Sequence, residues 1–360
     1  MIIYLIPFFI LAILTYLENI DKYKNIIYNR FFYLLIFIFF ILFIGFRFEV
    51  GCDWEGYKIY YNRIASYNLT QIIDNYQLLP EFTFLLIAKL ASFKLNYYFL
   101  NLVFAILFIF PFFLFSQQIK RTYFSLMIAY PYYFIVIGMG NIRQAVCLSF
   151  LLLSIDFISK KKNNFSYFSI IFSTLTHYSS IIANSFIFLS IDSKNNKRNS
   201  FIKYLFFSTL LLILIISFPI LSHKLRIYFG LYSTVISPAK SALLLWIINF
   251  VPILIFLINV SKFKFNNNLK RIFLSFSIYE ILTLPLLFIN SVVAYRLILY
   301  SFPISIFIIS YLPDMNVLRV KGKIIVNLFI MISFLSLLVW LNFAYHSHCY
   351  LPYKNILFNK

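Results

Sequence analysis

Charge is what this chain has least of. Only 12% of its 360 residues are Asp, Glu, Lys or Arg, against about a quarter in soluble domains. The hydrophobic share is 62% and the mean hydropathy +0.88. A water-soluble fold of this length has no interior large enough for so much apolar surface, so its solvent is lipid. Acidic residues are especially few, 11 against 31 basic, for a formal net charge of +20. The basic excess falls mostly in short loops between apolar runs, which reads as membrane orientation rather than nucleic-acid binding. Neither a GxGxxG motif nor a P-loop occurs, so cytoplasmic nucleotide chemistry has no support. Cysteine is limited to Cys52, Cys147 and Cys349, in no metal-ligand spacing. We read Cys52 and Cys349 as unpaired thiols, with a disulfide between them as the alternative. The opening run Met1 to Leu17 lacks a basic n-region and a small-residue cleavage site, and is read as a retained span.

What is present is a series of apolar runs close to the roughly 20 residues that cross a bilayer. They cover 1–17, 31–47, 97–116, 122–138, 142–158, 202–222, 241–259, 271–289, 295–312 and 323–344. The expected architecture is an all-α polytopic integral membrane protein, one transmembrane domain over 1–360 with about 10 full spans. One set of loops holds Lys22, Lys24 and Arg30; Lys120 and Arg121; Lys160 to Lys162; Lys194, Lys197, Arg198 and Lys203; Lys262, Lys264, Lys270 and Arg271; and Arg319, Lys321 and Lys323. The positive-inside rule makes these loops cytoplasmic and both termini extracytoplasmic.

Two apolar stretches do not fit plain crossings. Residues 81–93 are too short, and are expected to dip in from outside and return, within an outer loop 47–96 that also carries an interfacial helix. Residues 165–190 are interrupted at Thr176-His177 and lie between two basic loops. They are expected to form a hairpin of short helices with His177 near its outer apex. Irregular backbone at membrane depth requires shielding by protein or a wet cavity.

Ionisable groups at or within the membrane are costly and functional by default. Arg143, followed by Gln144, and Arg296 are each expected at the N-terminus of an apolar helix, where free N–H groups and the helix dipole favour phosphate. With Arg47 they form an expected anion-binding set, the alternative being arginines that snorkel to headgroups. Gly138 and Gly140 would allow close backbone approach there. Trp54, Tyr57, Tyr60 and Tyr61 share a helix face, either as a platform for sugar rings or as an interfacial aromatic belt. Asp53, Glu81 and His177 are the candidate acids or bases. Glu280, inside a span, needs a partner. His346-x-His348 is a metal-ligand fragment without a third ligand.

These landmarks resemble a known family. Arg47, Gly51-Cys52-Asp53 and Tyr57 look like the R…G-x-D…Y pattern of the EpsG-like branch of Wzy-type polysaccharide polymerases. The similarity continues through Pro80-Glu81-Phe82, Asn141-Ile142-Arg143-Gln144, Thr176-His177-Tyr178-Ser179, Tyr295-Arg296 and Leu351-Pro352-Tyr353-Lys354. Cys52 departs from the Thr common at that position. The resemblance implies a glycosyltransferase of the bacterial plasma membrane that polymerises undecaprenyl-diphosphate-linked oligosaccharide repeats into capsule, O-antigen or exopolysaccharide. No cofactor and no metal are expected. The expected partners are the lipid-linked repeat, membrane lipid, a chain-length regulator and a flippase, with no nucleic acid. Asp53, Glu81 or His177 would take the acceptor proton, while Arg47, Arg143, Gln144, Arg296, Tyr57 and Trp54 would hold substrate. A flippase for the same lipid would need polar groups reaching both leaflets, whereas those here gather on the outer side. A glycan ligase or acyltransferase is the other alternative.

Overall fold

The apolar runs become helices in the computed structural model, which describes residues 1–20, 30–94, 96–191, 197–231, 239–315 and 320–357. In chain order the principal helices are α1 (Ile2–Glu18), α2 (Arg30–Gly45), α3 (Trp54–Ser66), α4 (Leu69–Asp74), α5 (Phe82–Lys94), α6 (Tyr97–Ser116), α7 (Thr122–Gly140), α8 (Ile142–Ser159), α9 (Asn163–Thr176), α10 (Ser180–Ser190), α11 (Lys197–Leu231), α12 (Ala239–Ile258), α13 (Asn267–Ile289), α14 (Ser291–Asp314) and α15 (Gly322–Phe343). Among the described residues there is no strand, only an isolated bridge between Arg47 and Asn355. Lys22, Lys24, Lys194 and Arg319 of the basic loop set lie outside the described residues.

Seven of the ten expected spans coincide with helices long and apolar enough to cross a membrane: α6, α7, α8, α12, α13, α14 and α15. The other three fall on shorter apolar helices, Ile2–Glu18, Phe31–Gly45 and Tyr204–Phe218. Boundaries follow local capping rather than hydropathy. The Asn290 side chain accepts from the Val292 and Val293 amides at 3.1 and 3.0 Å, so α14 begins at Ser291 instead of 295. Asn266 accepts from Leu269 N–H and starts α13 early in the same way. Such caps satisfy amides that the helix cannot.

The chain divides into two compact units, Met1–Asn68 with Phe84–Ser149 and Ile309–Lys360, and Leu69–Thr83 with Phe150–Ile308. In the first unit α2 lies along α6, and α1 and α15 pack on α7. The α7 span is 94% buried and the α15 span 28%, which makes α7 the core helix and α15 a peripheral one. Within α7 the stretch Tyr130–Ile137 is π-wound, starting beside Pro131, which has no N–H to give. In the second unit α12, α13 and α14 pack on one another, and α10 packs on α13. Large apolar side chains such as Phe9, Leu244, Phe288, Met331 and Phe343 remain exposed. Exposure of this kind along apolar helices fits a lipid solvent and makes the chain a multi-pass membrane protein.

Candidate functional site

In the second unit α9 ends at Thr176, His177 takes extended backbone (φ −153°, ψ 106°), and α10 starts at Ser180. The two helices fold back on each other. Asn184 lies as far after His177 as Ile170 lies before it, and its amide is 3.3 Å from the Ile170 carbonyl and 2.9 Å from the Thr174 hydroxyl. His177 is thus the apex of the pair. The segment before α5 meets this apex: His177 Nδ1 stands 3.0 Å from Glu81 Oε1, and Thr176 Oγ1 is 3.2 Å from Thr83 Oγ1. Tyr178 and Tyr76 share a short hydroxyl–hydroxyl hydrogen bond, and Ser179 bonds the Tyr300 hydroxyl at 2.8 Å. Glu81 is 1% exposed and His177 6%. With the Nδ1 proton directed at the carboxylate, the imidazole lone pair is on Nε2, the tautomer suited to accept a proton. Sequence alone left Glu81 and His177 as separate candidates; folding makes them one pair. It also adds Tyr76, whose place in the chain carries no signal of its own.

In the first unit Arg143 occupies the first turn of α8, half-buried, with its guanidinium 5.4 Å from the centre of the Tyr57 ring. A planar cation over an aromatic face is held in orientation as well as attracted. Gln144 beside it is buried. Asp53 is exposed at the start of α3, where the Tyr57 hydroxyl donates to its Oδ2 at 3.4 Å. Asp53, Tyr57 and Arg143 therefore form a local series.

Several expectations are corrected. Arg47 is 1% exposed, its Nη1 donating to the Ile44 carbonyl at 2.7 Å and its Nε to Val50 at 3.1 Å, with Trp54 at 5.5 Å. It closes the end of α2 and the following turn, so an anion has no access to it. Trp54, Tyr57 and Tyr61 are buried rather than open to sugar or headgroups: Trp54 packs edge-on to Tyr97, Tyr61 lies against Tyr97, and Tyr57 lies against Phe84. Arg296 sits beyond the first turn of α14, whose opening amides Asn290 already caps, so it is not at a free helix N-terminus. Gly138 and Gly140 admit protein rather than ligand. A Cβ at Gly138 would meet the Phe108 ring at 2.6 Å, and one at Gly140 would collide with the Tyr350 hydroxyl. Glu280 is fully buried in α13, with its backbone carbonyl taken by the Trp246 indole N–H at 2.9 Å.

Cys52 and Cys349 are joined as a disulfide, not left as thiols. The bond is part of a strap that lays the C-terminal tail on the chain after α2. Gly51 N–H donates to Cys349, Phe48 N–H to Lys354 and Ile356 N–H to Phe46, at 2.9, 3.0 and 2.9 Å. The Tyr353 hydroxyl donates to the Phe43 carbonyl, Lys354 pairs with Glu49, and the Tyr350 hydroxyl reaches Val136 at 2.9 Å. Burial pushes the Tyr353 phenol up to about 12, with Asn355 and Arg47 pulling against it, so it stays a neutral donor. Gly51, at φ +98°, has backbone only glycine adopts easily, and a Cβ there would collide with the Met139 carbonyl. The Gly51-Cys52-Asp53 and Leu351 to Lys354 landmarks are the two halves of this strap.

No curated protein and no solved structure matches the chain. The sequence profile of the EpsG family does match, over residues 30–355, a stretch that takes in both halves of the strap, Arg143 and the Glu81–His177 pair: the chain belongs to the EpsG family, which is associated with Wzy-type polysaccharide polymerases.

Proposed function

We propose that the protein is a polysaccharide polymerase joining undecaprenyl-diphosphate-linked oligosaccharide repeats by glycosyl transfer on the outer face of the bacterial plasma membrane, with both termini on that face. The observation that carries the reading is the buried Glu81–His177 pair at the apex of a helical hairpin. Family membership and the apolar helices support the membrane and polysaccharide setting.

In this reading the growing glycan, linked to diphosphate, is the donor. A hydroxyl of the next lipid-linked repeat attacks its anomeric carbon as the bond to the diphosphate oxygen breaks. His177 Nε2 takes the acceptor proton, and Glu81 stabilises the imidazolium that forms. The bond electrons leave with the diphosphate, and Arg143 or Arg296 is the candidate to supply its countercharge. Asp53 and Tyr57 orient Arg143. A flippase and a chain-length regulator are the expected accessory partners.

The decisive experiment is deletion. Cells lacking the protein should accumulate single lipid-linked repeats on the outer face and make no long polymer. Accumulation on the cytoplasmic face would instead identify a flippase, and polymer of normal length that fails to reach its final acceptor would identify a ligase.

A further inference from the structure

The strap places four metal-ligating side chains together. Cys52 Sγ is 3.6 Å from His346 Nδ1 and 3.7 Å from the His346 carbonyl; Cys349 Sγ is 3.3 Å from His348 Nε2. The disulfide brings the two pairs to one place. Both histidines belong to the 3₁₀ turn Tyr345–Cys349. Zinc–sulfur and zinc–nitrogen bonds of about 2.3 and 2.0–2.1 Å at the tetrahedral angle put S and N about 3.5 Å apart. The two sulfur–nitrogen distances, 3.6 and 3.3 Å, bracket that edge length. A second observation concerns the proton of His348. Its Nδ1 is 2.6 Å from the Tyr345 carbonyl and so donates to it, leaving the Nε2 lone pair directed at Cys349. A backbone carbonyl on the far nitrogen is the usual way a metal-binding imidazole is oriented. The Tyr345 ring packs against both imidazoles, at 5.1 and 5.8 Å. The histidines and Cys52 are exposed, so an ion can reach them.

We infer that Cys52, Cys349, His346 and His348 form, once the disulfide is opened, a Cys₂His₂ site for a borderline-soft divalent cation of the zinc class. The His346-x-His348 fragment lacks a third ligand in sequence; folding supplies two sulfurs, one of them from nearly 300 residues away. The two states exclude each other, because each sulfur bonds either its partner or the metal. With the disulfide closed, no group of three or more metal ligands exists among the described residues. Opening requires a two-electron reductant. With a phosphine and water, the S–S bond gives two thiols and the phosphine becomes its oxide. Metal binding then releases both thiol protons. In either state the tail stays fastened to the chain after α2, and the inference is independent of the glycan chemistry.

The test uses the full chain purified in detergent, reduced with a water-soluble phosphine and titrated with Co²⁺. The expected result is one equivalent bound, with the intense visible bands of tetrahedral cobalt and thiolate charge transfer. The oxidised chain should show no such bands. His346→Ala/His348→Ala should form the disulfide normally yet bind cobalt at least about tenfold more weakly. Cys147→Ser, which removes the buried third cysteine, should bind as wild type. No bands after reduction, or equal affinity in the double-histidine variant, would overturn the inference. Should reduction unfold the detergent-purified chain, the same question is put in native membranes. Zn²⁺ should protect reduced Cys52 and Cys349 from maleimide in wild type but not in the double-histidine variant, and labelling unaffected by Zn²⁺ would overturn it.

Discussion

His177 Nδ1 and Glu81 Oε1 stand 3.0 Å apart, both buried, so the break between two hairpin helices is tied to the residue just before α5. A buried carboxylate on one imidazole nitrogen orients the ring and offsets the charge it acquires on taking a proton. If the pair acts as base, His177→Ala should slow polymerisation of purified lipid-linked repeats by about 10²–10⁴-fold, the usual span for proton transfer. Glu81→Gln keeps the shape and loses the charge, and should fall in the same range. The double variant should be little slower than His177→Ala alone, because the two act as a unit. Fully additive losses, at matched protein abundance, would separate the residues.

The arginines should divide into different kinds. Arg143→Lys keeps charge but loses the planar fork and the stacking on Tyr57. Loss of one charge-assisted hydrogen bond, about 1.5–3 kcal/mol, corresponds to roughly 10- to 150-fold in rate. Arg296→Lys should cost less, because Asn290 already caps the helix start near it. Arg47→Lys should act on folding: two donors to the Ile44 and Val50 carbonyls are disturbed in a site without solvent. Quantifying membrane-inserted protein beside polymer length separates the cases. Normal amounts of Arg47→Lys, or full polymer length with Arg143→Lys, would refute the corresponding role.

What the sequence made legible follows from the range over which each signal acts. Apolar run length sets the helices, and seven expected spans coincide with long helices. Basic loops on both sides of 165–190 pointed to a turn at His177, because charge placement constrains where a short segment can end. Periodicity put Trp54, Tyr57, Tyr60 and Tyr61 on one face but carried nothing about what faces them; for Trp54, Tyr57 and Tyr61 that is Tyr97 and Phe84. A charged residue at the end of a span reads the same whether it meets phosphate or carbonyls, which is why Arg47 and Arg143 looked alike. The Cys52–Cys349 bond and the Glu81–His177 contact join residues 297 and 96 positions apart, and no local pattern specifies such pairings.

Asn184 should hold the hairpin. Its amide reaches the Ile170 carbonyl and the Ser173, Thr174 and Ser180 hydroxyls within 3.3 Å, from a fully buried position. Interhelical polar contacts of this kind in membrane proteins contribute about 0.6–2 kcal/mol. Asn184→Leu, close in volume, should lower the thermal stability of the detergent-purified protein by that amount. It should also slow polymerisation, since the His177 apex depends on the two helices staying paired. Unchanged stability would mean that apolar packing alone closes the hairpin.

The strap makes a sharper claim at Gly140. A Cβ there would run into the Tyr350 hydroxyl, while the ring carbon bearing that hydroxyl is 3.5 Å away, an ordinary contact. Overpacking of this sort costs about 1–3 kcal/mol. Gly140 lies three residues before Arg143, so Gly140→Ala should both destabilise the protein and slow polymerisation. Tyr350→Phe alone removes one hydrogen bond, to the Val136 carbonyl, and should cost about 1 kcal/mol. In the double variant the added methyl occupies the space the hydroxyl has left. Gly140→Ala/Tyr350→Phe should therefore be more stable and more active than Gly140→Ala. A double variant no better than the worse single one would show that the glycine is needed for something other than room beside Tyr350.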